Sequence, residues 1–353
     1  MIISTLWRAI ATGTRIDLVQ DRKILVTGGA GYLGSIVTKM LLEKKQHVVV
    51  LDSMIYSDVG IKGLYGMPGL SVIVGDIRDA SAVRKAMRGV TEVVHLAAIA
   101  NDPSGELNPE LTRQVNYGAY STLLALADEA GVSRFVNAST TSVYGKNELV
   151  GLEESSDLHP LKEYSICKAK AEELVVHANS QYLCTTSLRC ATICGWSDRM
   201  RFDLILNLLT AQAIMDARIV VQGGQQQRPH IYIYDIAECF LKVLDAPASV
   251  VGGEIFNACG ENVSIRSMAE SIQERVQKNI ELIYSPGRRD ERSYNVSSNK
   301  IIKALGEIFS RSVYDAVEEI MKAHERRKWK NYMSPMYNNI LMMKDGADEY
   351  TQV

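Results

Sequence analysis

The chain has 353 residues, of which 46% are hydrophobic and 23% are charged, and its formal net charge is −2. This length suits two domains, or one domain with a large lobe, and the composition is ordinary for a globular protein with a sizeable core. The nearly balanced charge gives no support for a nucleic-acid-binding surface. No apolar run reaches the roughly 20 residues that a membrane helix needs, so the sequence predicts no membrane partner.

Two terminal segments stand apart from the body of the chain. Residues 1–21 carry Arg8 and Arg15 before the first acid, Asp17, a weak likeness to a transit peptide, but we interpret the segment as an N-terminal extension or a docked helix. Residues 328–353 are expected to be a partly loose tail. The six cysteines show no CxxC spacing, and we interpret them as reduced thiols of a cytoplasmic protein without a metal site.

Short apolar segments rich in valine and isoleucine alternate with helical segments from residue 23 onward. Six of them predict strands, namely KILVTG, HVVVLD, SVIVGDI, EVVHLAA, RFVNAST and TTSLRC. Helical patterns such as YLGSIVTKMLLEKK and NYGAYSTLLALADEAG lie between most of these strands. The alternation predicts an α/β fold with a Rossmann-like, doubly wound parallel sheet and helices on both of its faces.

The pattern becomes less regular after about residue 191. The segments RIVVQ, EIFNACG and ELIYS still alternate with helices, and we expect them to form a smaller C-terminal substrate lobe. We therefore predict a dinucleotide-binding domain over residues 22–190, with return segments near 228–258, and a mainly substrate-binding lobe over 191–327.

Three glycines follow the first predicted strand, in ILVTGGAGYLGS. Gly28 ends the strand where the chain turns sharply, Gly31 lets a pyrophosphate approach the amides of a helix N-terminus, and Gly34 lets that helix pack on the strand. The next predicted strand ends in Asp52, 24 residues past Gly28, where a carboxylate can accept hydrogen bonds from the adenosine ribose. That carboxylate would repel a 2′-phosphate, so the sequence predicts NAD rather than NADP.

A second group of residues indicates a type of reaction. Tyr164 and Lys168 lie four residues apart in YSICK, so a helix presents both side chains on one face. A phenol is a poor base, but we expect a neighbouring ammonium and the positive nicotinamide ring to lower its pKa. Thr140, at the end of a predicted strand, supplies a hydroxyl that can orient a substrate alcohol. Together these groups would remove a hydroxyl proton while hydride leaves the same carbon for NAD.

Five motifs occur in an order that resembles the extended short-chain dehydrogenases/reductases, in the NAD-dependent nucleotide-sugar epimerase/dehydratase branch: TGGAGYLGS, GDIRD, HLAA, STTSVYG and YSICK. The likeness runs from about residue 22 to 325. It implies that Thr140, Tyr164 and Lys168 are the catalytic residues. The further cofactor-binding residues that it implies are Tyr32, Leu33, Asp76, Ile77, Leu96, Ala97, Ala98 and Asn116.

The resemblance also implies a nucleotide-sugar site in the C-terminal lobe. Arg228, in QQQRPHIYIYDIAECF, is similar to an arginine that meets the diphosphate, and Arg292 resembles a second one. Guanidinium groups suit bidentate contact with phosphate. Arg201 and Asn207, in WSDRMRFDLILN, resemble residues of the substrate lobe. The alternatives to the second diphosphate arginine are Arg288 and Arg289.

Departures from the family's patterns narrow the reaction. The 4,6-dehydratases carry Asp-Glu after the catalytic threonine, where this chain has Thr141 and Ser142, so the acid and base for water elimination are missing. Epimerase-reductases similar to GDP-fucose synthase carry a cysteine and a histidine where this chain has Ser142 and, approximately, Ser197. We interpret Cys190 and Cys194 as packing residues. What remains is redox chemistry at one sugar carbon, most simply C4.

Three functions stay open at this point. The favoured one is a NAD-dependent nucleotide-sugar epimerase that acts by transient oxidation of a sugar hydroxyl. The second is a nucleotide-sugar dehydrogenase or 4-ketoreductase with net hydride transfer, and the third is a non-catalytic NAD-binding protein on the same fold. NAD that stays oxidised after turnover favours the epimerase, whereas stoichiometric release of NADH favours the dehydrogenase. The resemblance also implies a homodimer, formed through helices near residues 110–130 and 163–179.

Overall fold

The structure is a computed structural model that describes residues 22–147, 150–276, 279–285 and 293–345. The N-terminal extension and the arginines at 288, 289 and 292 lie outside these residues. Within the described part of the chain, no helix is both long and apolar enough to cross a membrane. All six cysteines are buried free thiols.

Strands are numbered in chain order over the described residues. They are β1 (Lys23–Thr27), β2 (His47–Asp52), β3 (Leu70–Val74), β4 (Glu92–His95), β5 (Arg134–Thr140), β6 (Cys184–Cys190), β7 (Thr192–Cys194), β8 (Arg218–Gln222), β9 (Gln227–Tyr232), β10 (Glu254–Ala258), β11 (Glu261–Ser264) and β12 (Glu281–Ser285).

The α-helices are numbered in the same way. They are α1 (Tyr32–Glu43), α2 (Ala80–Ala86), α3 (Asp102–Gly105), α4 (Pro109–Arg113), α5 (Ala119–Glu129), α6 (Glu163–His177), α7 (Ile205–Asp216), α8 (Ile233–Asp245), α9 (Ala248–Val251), α10 (Ile265–Val276), α11 (Asn299–Leu305), α12 (Val313–Glu325) and α13 (Asn339–Asp345). A π-helical turn, Gln114–Gly118, joins α4 to α5.

Seven strands form one parallel sheet in the order β10-β6-β5-β4-β1-β2-β3. Successive residues of β1 point to opposite faces: Ile24 and Val26 join one core cluster with α1 and α8, while Leu25 joins the other with α2 and α5. Burial on both faces explains why this strand is apolar throughout. The prediction of a Rossmann-like, doubly wound sheet is confirmed.

One strand of the C-terminal half belongs to this main sheet. The segment EIFNA, part of a sequence pattern expected in the smaller lobe but also within the predicted return segments near 228–258, is β10. It pairs in parallel with β6, with Ile255 opposite Ser187. There it covers an edge of β6 that would otherwise present unpaired backbone groups. RIVVQ and ELIYS do pair with each other, as the two-stranded sheet of β8 and β12. The strands β11, β9 and β7 form a third small sheet.

The segment after α12 packs on the body of the protein over residues 328–345, so any loose part of the predicted tail lies beyond residue 345. Trp329 is buried against Phe202, with 4.7 Å between the ring centroids. The backbone N–H of Phe202 donates to the carbonyl of Tyr337 at 2.9 Å. Met343 joins the core cluster that contains α2 and α5. These buried side chains tie the segment down; residues 346–353 lie outside the described range.

Candidate active site

The carboxyl ends of the parallel strands meet at one edge of the sheet, where the structure has a cavity of about 760 Å³. Four strands bring residues to it: Gly28 follows β1, Asp52 ends β2, Thr140 ends β5 and Cys190 ends β6. Residues of the C-terminal half line the opposite side. The volume suits a cofactor or small-molecule site, and this edge is where doubly wound sheets bind ligands.

The glycine turn between β1 and α1 is shaped for close approach of a ligand. Gly28 has a φ of +70°, and a Cβ at that position would lie 2.7 Å from the backbone nitrogen of Ala97. A Cβ on Gly34 would overlap the carbonyl oxygen of Gly28. Gly31 is the N-cap of α1, whose first turn carries no acidic side chain. The turn therefore exposes the positive end of a 12-residue helix to the cavity, as a diphosphate requires.

Asp52 stands beside this turn and faces the same cavity. One carboxylate oxygen accepts from the backbone N–H of Ala30 at 2.9 Å, and the other accepts from Met54 at 2.9 Å. Burial raises the pKa of Asp52, while these two hydrogen bonds oppose the shift. Each oxygen has a further lone pair, so the side chain fits the two hydroxyls of a ribose. The turn and the acid together fit an NAD molecule.

The other cofactor residues implied by resemblance divide into two groups. Asn116 lies behind the cavity wall, where its side-chain amide accepts from and donates to the backbone of Ile99, both at 2.9 Å. The carboxylate of Asp76 faces the cavity and also accepts from the guanidinium of Arg78 at 2.8 Å. The remaining cavity-lining residues of the set are Tyr32, Leu33, Ile77, Leu96, Ala97 and Ala98.

The three predicted catalytic residues come together in the cavity. The side chains of Thr140 and Tyr164 are hydrogen-bonding neighbours, and the threonine hydroxyl also accepts from the backbone N–H of Ser142 at 3.2 Å. The Nζ of Lys168 donates to the carbonyl of Ala138 at 2.9 Å. Tyr164 and Lys168 occupy one face of α6, and Thr140 reaches them from the end of β5. A hydroxyl, a phenol and an ammonium thus line one wall.

Burial sets the pKa values of two of these groups in the protein alone. It raises the pKa of Tyr164 above its usual value, and the hydrogen bond from Thr140 opposes that rise. It lowers the pKa of Lys168 to about 8. The lowering of the tyrosine pKa was predicted for a site that also holds the positive nicotinamide ring; in the protein alone, desolvation of the phenolate is the largest effect. A positive charge supplied by the bound cofactor acts in the opposite direction.

A residue that the sequence did not single out also holds Lys168. The hydroxyl of Tyr120 lies 3.4 Å from the lysine Nζ and donates to the Oδ1 of Asn137 at 2.8 Å. The Tyr120 ring meets His95 edge-on, at 4.8 Å between centroids. In the sequence Tyr120 fits the apolar face of a helix and is indistinguishable from a core aromatic residue. Its hydroxyl keeps the lysine directed along the wall of the cavity.

The predicted substrate residues lie on the far side of the cavity or behind it. Arg228 and Arg201 line it, and both are buried. Arg201 forms an ion pair with Asp203 at 2.6 Å. Asn207 lies behind the wall, where its Nδ2 donates to the hydroxyl of Tyr32 at 3.1 Å. Three of the four predicted residues are thus described; Arg292 lies outside the described residues.

Arg199 is a second residue that the sequence did not single out, although it stands two places before Arg201 in the same motif. It is 1% exposed and lines the cavity. Its guanidinium donates to the carbonyl of Tyr56 at 3.0 Å and to the Oδ1 of Asn339 at 2.6 Å. Burial, with a contribution from Arg201, lowers its pKa to about 10. No sequence pattern connects it with Asn339, which also lines the cavity.

The two cysteines near the cavity have the properties of packing residues. Cys190 lines the cavity, and burial raises the pKa of its thiol to about 12. The thiol of Cys194 is fully buried and points at the carbonyl of Ile231, 3.4 Å away. Both thiols are protonated at neutral pH, so neither supplies a base.

Comparisons with known proteins find one family of relatives. A family model described as the NAD dependent epimerase/dehydratase family matches residues 24–259. The chain is 30% identical to a UDP-glucose 4-epimerase from Streptomyces lividans, over 86% of this chain and 96% of that protein. It is 31% identical to UDP-glucuronate 4-epimerase 1 from Arabidopsis thaliana, over 69% of this chain and 60% of that protein.

A solved structure is similar over nearly the whole fold. It is a dTDP-glucose 4,6-dehydratase from Streptomyces venezuelae with NAD bound, which is 26% identical and superposes with a TM-score of 0.77. The similarity covers 89% of this chain and 99% of that one.

Proposed function

The chain belongs to the NAD-dependent epimerase/dehydratase family, and from that membership we propose that it is a nucleotide-sugar 4-epimerase that acts by transient oxidation of a sugar hydroxyl. One observation carries this proposal. Thr140, Tyr164 and Lys168 stand in the same cavity as the glycine turn and Asp52, so a proton acceptor and an NAD site face one space. That arrangement also argues against a non-catalytic NAD-binding protein.

The side chains of this wall orient the sugar hydroxyl and transfer its proton. A bound NAD would supply reversible hydride transfer at the sugar carbon, with inversion if the hydride returned to the opposite face. Tyr164 takes the proton of the sugar hydroxyl and gives it back after the hydride returns. Thr140 stands beside the phenol, so its hydroxyl is placed to hydrogen-bond the same sugar hydroxyl and orient it. Lys168 uses two of its three N–H donors on Ala138 and Tyr120, and the third favours the phenolate or a ribose hydroxyl.

The substrate is proposed to be a nucleoside diphosphate sugar, with uridine diphosphate sugars the first to test. Similarity to a UDP-glucose 4-epimerase and to a UDP-glucuronate 4-epimerase supports the class. The cavity continues past the catalytic wall to Arg228, which is 8% exposed. A guanidinium in that position suits a diphosphate.

Dehydration is the less favoured chemistry for this site. Thr141 and Ser142, which follow the catalytic threonine, both line the cavity. Aliphatic hydroxyls are much weaker acids than a carboxylic acid and much weaker bases than a carboxylate at neutral pH. This pair therefore does not supply the acid and base of a water elimination. Net dehydrogenation or ketone reduction uses the same catalytic wall and is distinguished by experiment.

The test is a screen of uridine and deoxythymidine diphosphate sugars, with product analysis by NMR and absorbance of the cofactor. The expected result is a product inverted at C4 while the bound cofactor stays oxidised at the end of the reaction. One equivalent of NADH released for each sugar consumed would replace the epimerase with a dehydrogenase. A product that has lost water would overturn the argument from Thr141 and Ser142.

We also propose that the protein forms a homodimer through the region of α4, α5 and α6. Three apolar side chains on or beside these elements are exposed, namely Leu107, Tyr117 and Leu161. A second copy would cover them, as in an ordinary interface between helices. Sedimentation at micromolar concentration is expected to give the mass of a dimer, and a single monomer mass would refute the proposal.

A further inference from the structure

Hydrogen bonds join the C-terminal lobe directly to α1, beside the glycine turn. The hydroxyl of Tyr32, the first residue of α1, donates to the carbonyl of Gly195 at 2.7 Å. One turn later the hydroxyls of Ser35 and Ser197 are 2.9 Å apart. All four residues are buried. The segment 195–201 therefore lies against the helix end that borders the diphosphate-binding turn.

Arg199 is the cation that this segment brings to the turn. Gly60 packs between Arg199 and the first turn of α1: a Cβ at Gly60 would lie 2.9 Å from the Cβ of Arg199 and 3.0 Å from the Cβ of Ser35. Arg199 and Gly31 line the same cavity. A bound dinucleotide carries its two diphosphate charges along this turn. A guanidinium on the other side of the cavity is placed to face them.

Among the described residues, the hydrogen-bond acceptors of Arg199 are all neutral. They are the carbonyls of Tyr56 and Met200, the Oδ1 of Asn339, and a longer contact of 3.5 Å to the sulfur of Met342. The nearby carboxylate of Asp203 is already paired with Arg201. A buried cation without a carboxylate partner is costly, and an anionic ligand in the cavity would offset that cost.

Asn339 belongs to a segment that reaches across both core clusters. Trp329 and Tyr337 pack in the cluster that contains α1, and Met343 packs in the cluster that contains α2 and α5. The hydroxyl of Tyr332 donates to Asp216 at the end of α7, at 2.6 Å. Between these anchors, Asn339 is 3% exposed and faces the cavity. The segment follows α12 and lies after the residues that the family model matches.

We propose that residues 329–345 form a strap that retains NAD, in which Asn339 is a positioning residue that holds the Arg199 guanidinium against the diphosphate of the bound dinucleotide. The buried side chains of Trp329 and Met343 hold the strap on the protein. The 2.6 Å hydrogen bond from the Arg199 guanidinium to the Oδ1 of Asn339 holds the cation in place. Tyr56, whose carbonyl is another of its acceptors, lies in the loop after β2, so the same guanidinium also links the strap to the segment that follows Asp52.

An epimerase has to keep its cofactor bound throughout each reaction. The need for it rests on the proposed epimerase function, because a hydride that must return to the same sugar is lost if the reduced cofactor leaves first. A dehydrogenase has the opposite requirement, since it must exchange its cofactor in every turnover. The strap itself is tested without any sugar nucleotide, so failure of the epimerase proposal and failure of the strap are separate results.

The experiment measures the dissociation rate of NADH from the full-length protein by displacement with excess NAD. Asn339→Ala removes the acceptor and keeps a residue suited to a helix start, and it is expected to raise the rate about tenfold, the effect of one lost hydrogen bond to a charged group. Asn331→Ala is the matched control, because Asn331 is an exposed asparagine of the same segment whose Oδ1 accepts from the backbone N–H of Met333, away from Arg199 in the chain. Its rate is expected to stay within twofold of the wild type.

A double-mutant cycle tests whether Asn339 acts through the arginine. Arg199→Met is expected to accelerate release by itself, and adding Asn339→Ala to it is expected to change nothing further. Melting temperatures of the same variants separate weaker retention from a general loss of stability. Release from Asn339→Ala at the wild-type rate overturns the proposal. If the two substitutions accelerate NADH release independently, their factors multiply in the double variant. That result would show that Asn339 does not position Arg199, and it would also overturn the proposal.

Discussion

Replacing Tyr164 by phenylalanine separates catalysis from folding at this site. The change keeps the ring and deletes one buried oxygen, whose hydrogen bond in the protein alone comes from Thr140. Loss of that bond costs about 1 kcal/mol of stability, and part of the cost is offset because no hydroxyl has to be desolvated. Thr140 keeps its contact with the backbone N–H of Ser142. We therefore expect Tyr164→Phe to fold and to bind NAD almost as the wild type does.

The effect on turnover should be much larger. A positioned acid–base group contributes roughly 10²–10⁴-fold to the rate, which corresponds to about 3–5 kcal/mol of transition-state free energy. The assay is the rate of C4 inversion by NMR at saturating sugar nucleotide, alongside the affinity for NAD by calorimetry. Tyr117→Phe is the matched control, because Tyr117 is 37% exposed and lies in the π-helical turn, outside the residues that line the cavity. A Tyr164→Phe variant that turns over within tenfold of the wild type would show that the proton is taken elsewhere.

Three further predictions follow from the same cavity. Asp52→Ala should weaken NAD binding and narrow the preference over NADP, as measured by calorimetry, and a wild-type protein that prefers NADP would contradict the role of this acid. Turnover should fall as the pH rises through about 8, because the Lys168 ammonium is present below its lowered pKa and lost above it. Lys168→Arg should move that decline to higher pH, and an unmoved pH profile would assign it to another group. Gly34→Ala should destabilise the protein by roughly 1–3 kcal/mol in denaturant unfolding, because the added Cβ meets backbone that cannot turn aside; an unchanged midpoint would refute this.

Local patterns in the sequence predict most of the main sheet and the cofactor half of the site. Ile24, Leu25 and Val26 form a continuous apolar run because each faces a covered side of the sheet. The glycine turn needs no distant information either, since its spacing is set by a strand end, a helix start and the ligand between them. Such features are readable because the residues that cooperate are neighbours in the chain.

The parts that the sequence missed depend on contacts between distant residues. Asn339 and Arg199 are 140 positions apart, and nothing local distinguishes this asparagine from others in the tail. Tyr120 is 48 positions from Lys168 and has the spacing of any core residue. The segment EIFNA has the composition of a strand, but composition does not say which sheet edge is open to receive it. The desolvation of Tyr164 was equally invisible in the sequence, because burial is a property of the assembled wall.

The placement of β10 at the edge of the main sheet has a consequence for modularity. Pairs such as Phe256 with Leu188 complete the sheet with residues that are made only after the first part of the substrate half, residues 191–253, has been synthesised. A fragment that stops at residue 190 would leave β6 as a bare edge, a template for intermolecular strand pairing and aggregation. The two functional halves are therefore not exchangeable units. Cutting the chain between them or grafting a new sugar-binding half after β6 would fail, whereas replacing loops between residues 191 and 253 leaves the sheet intact.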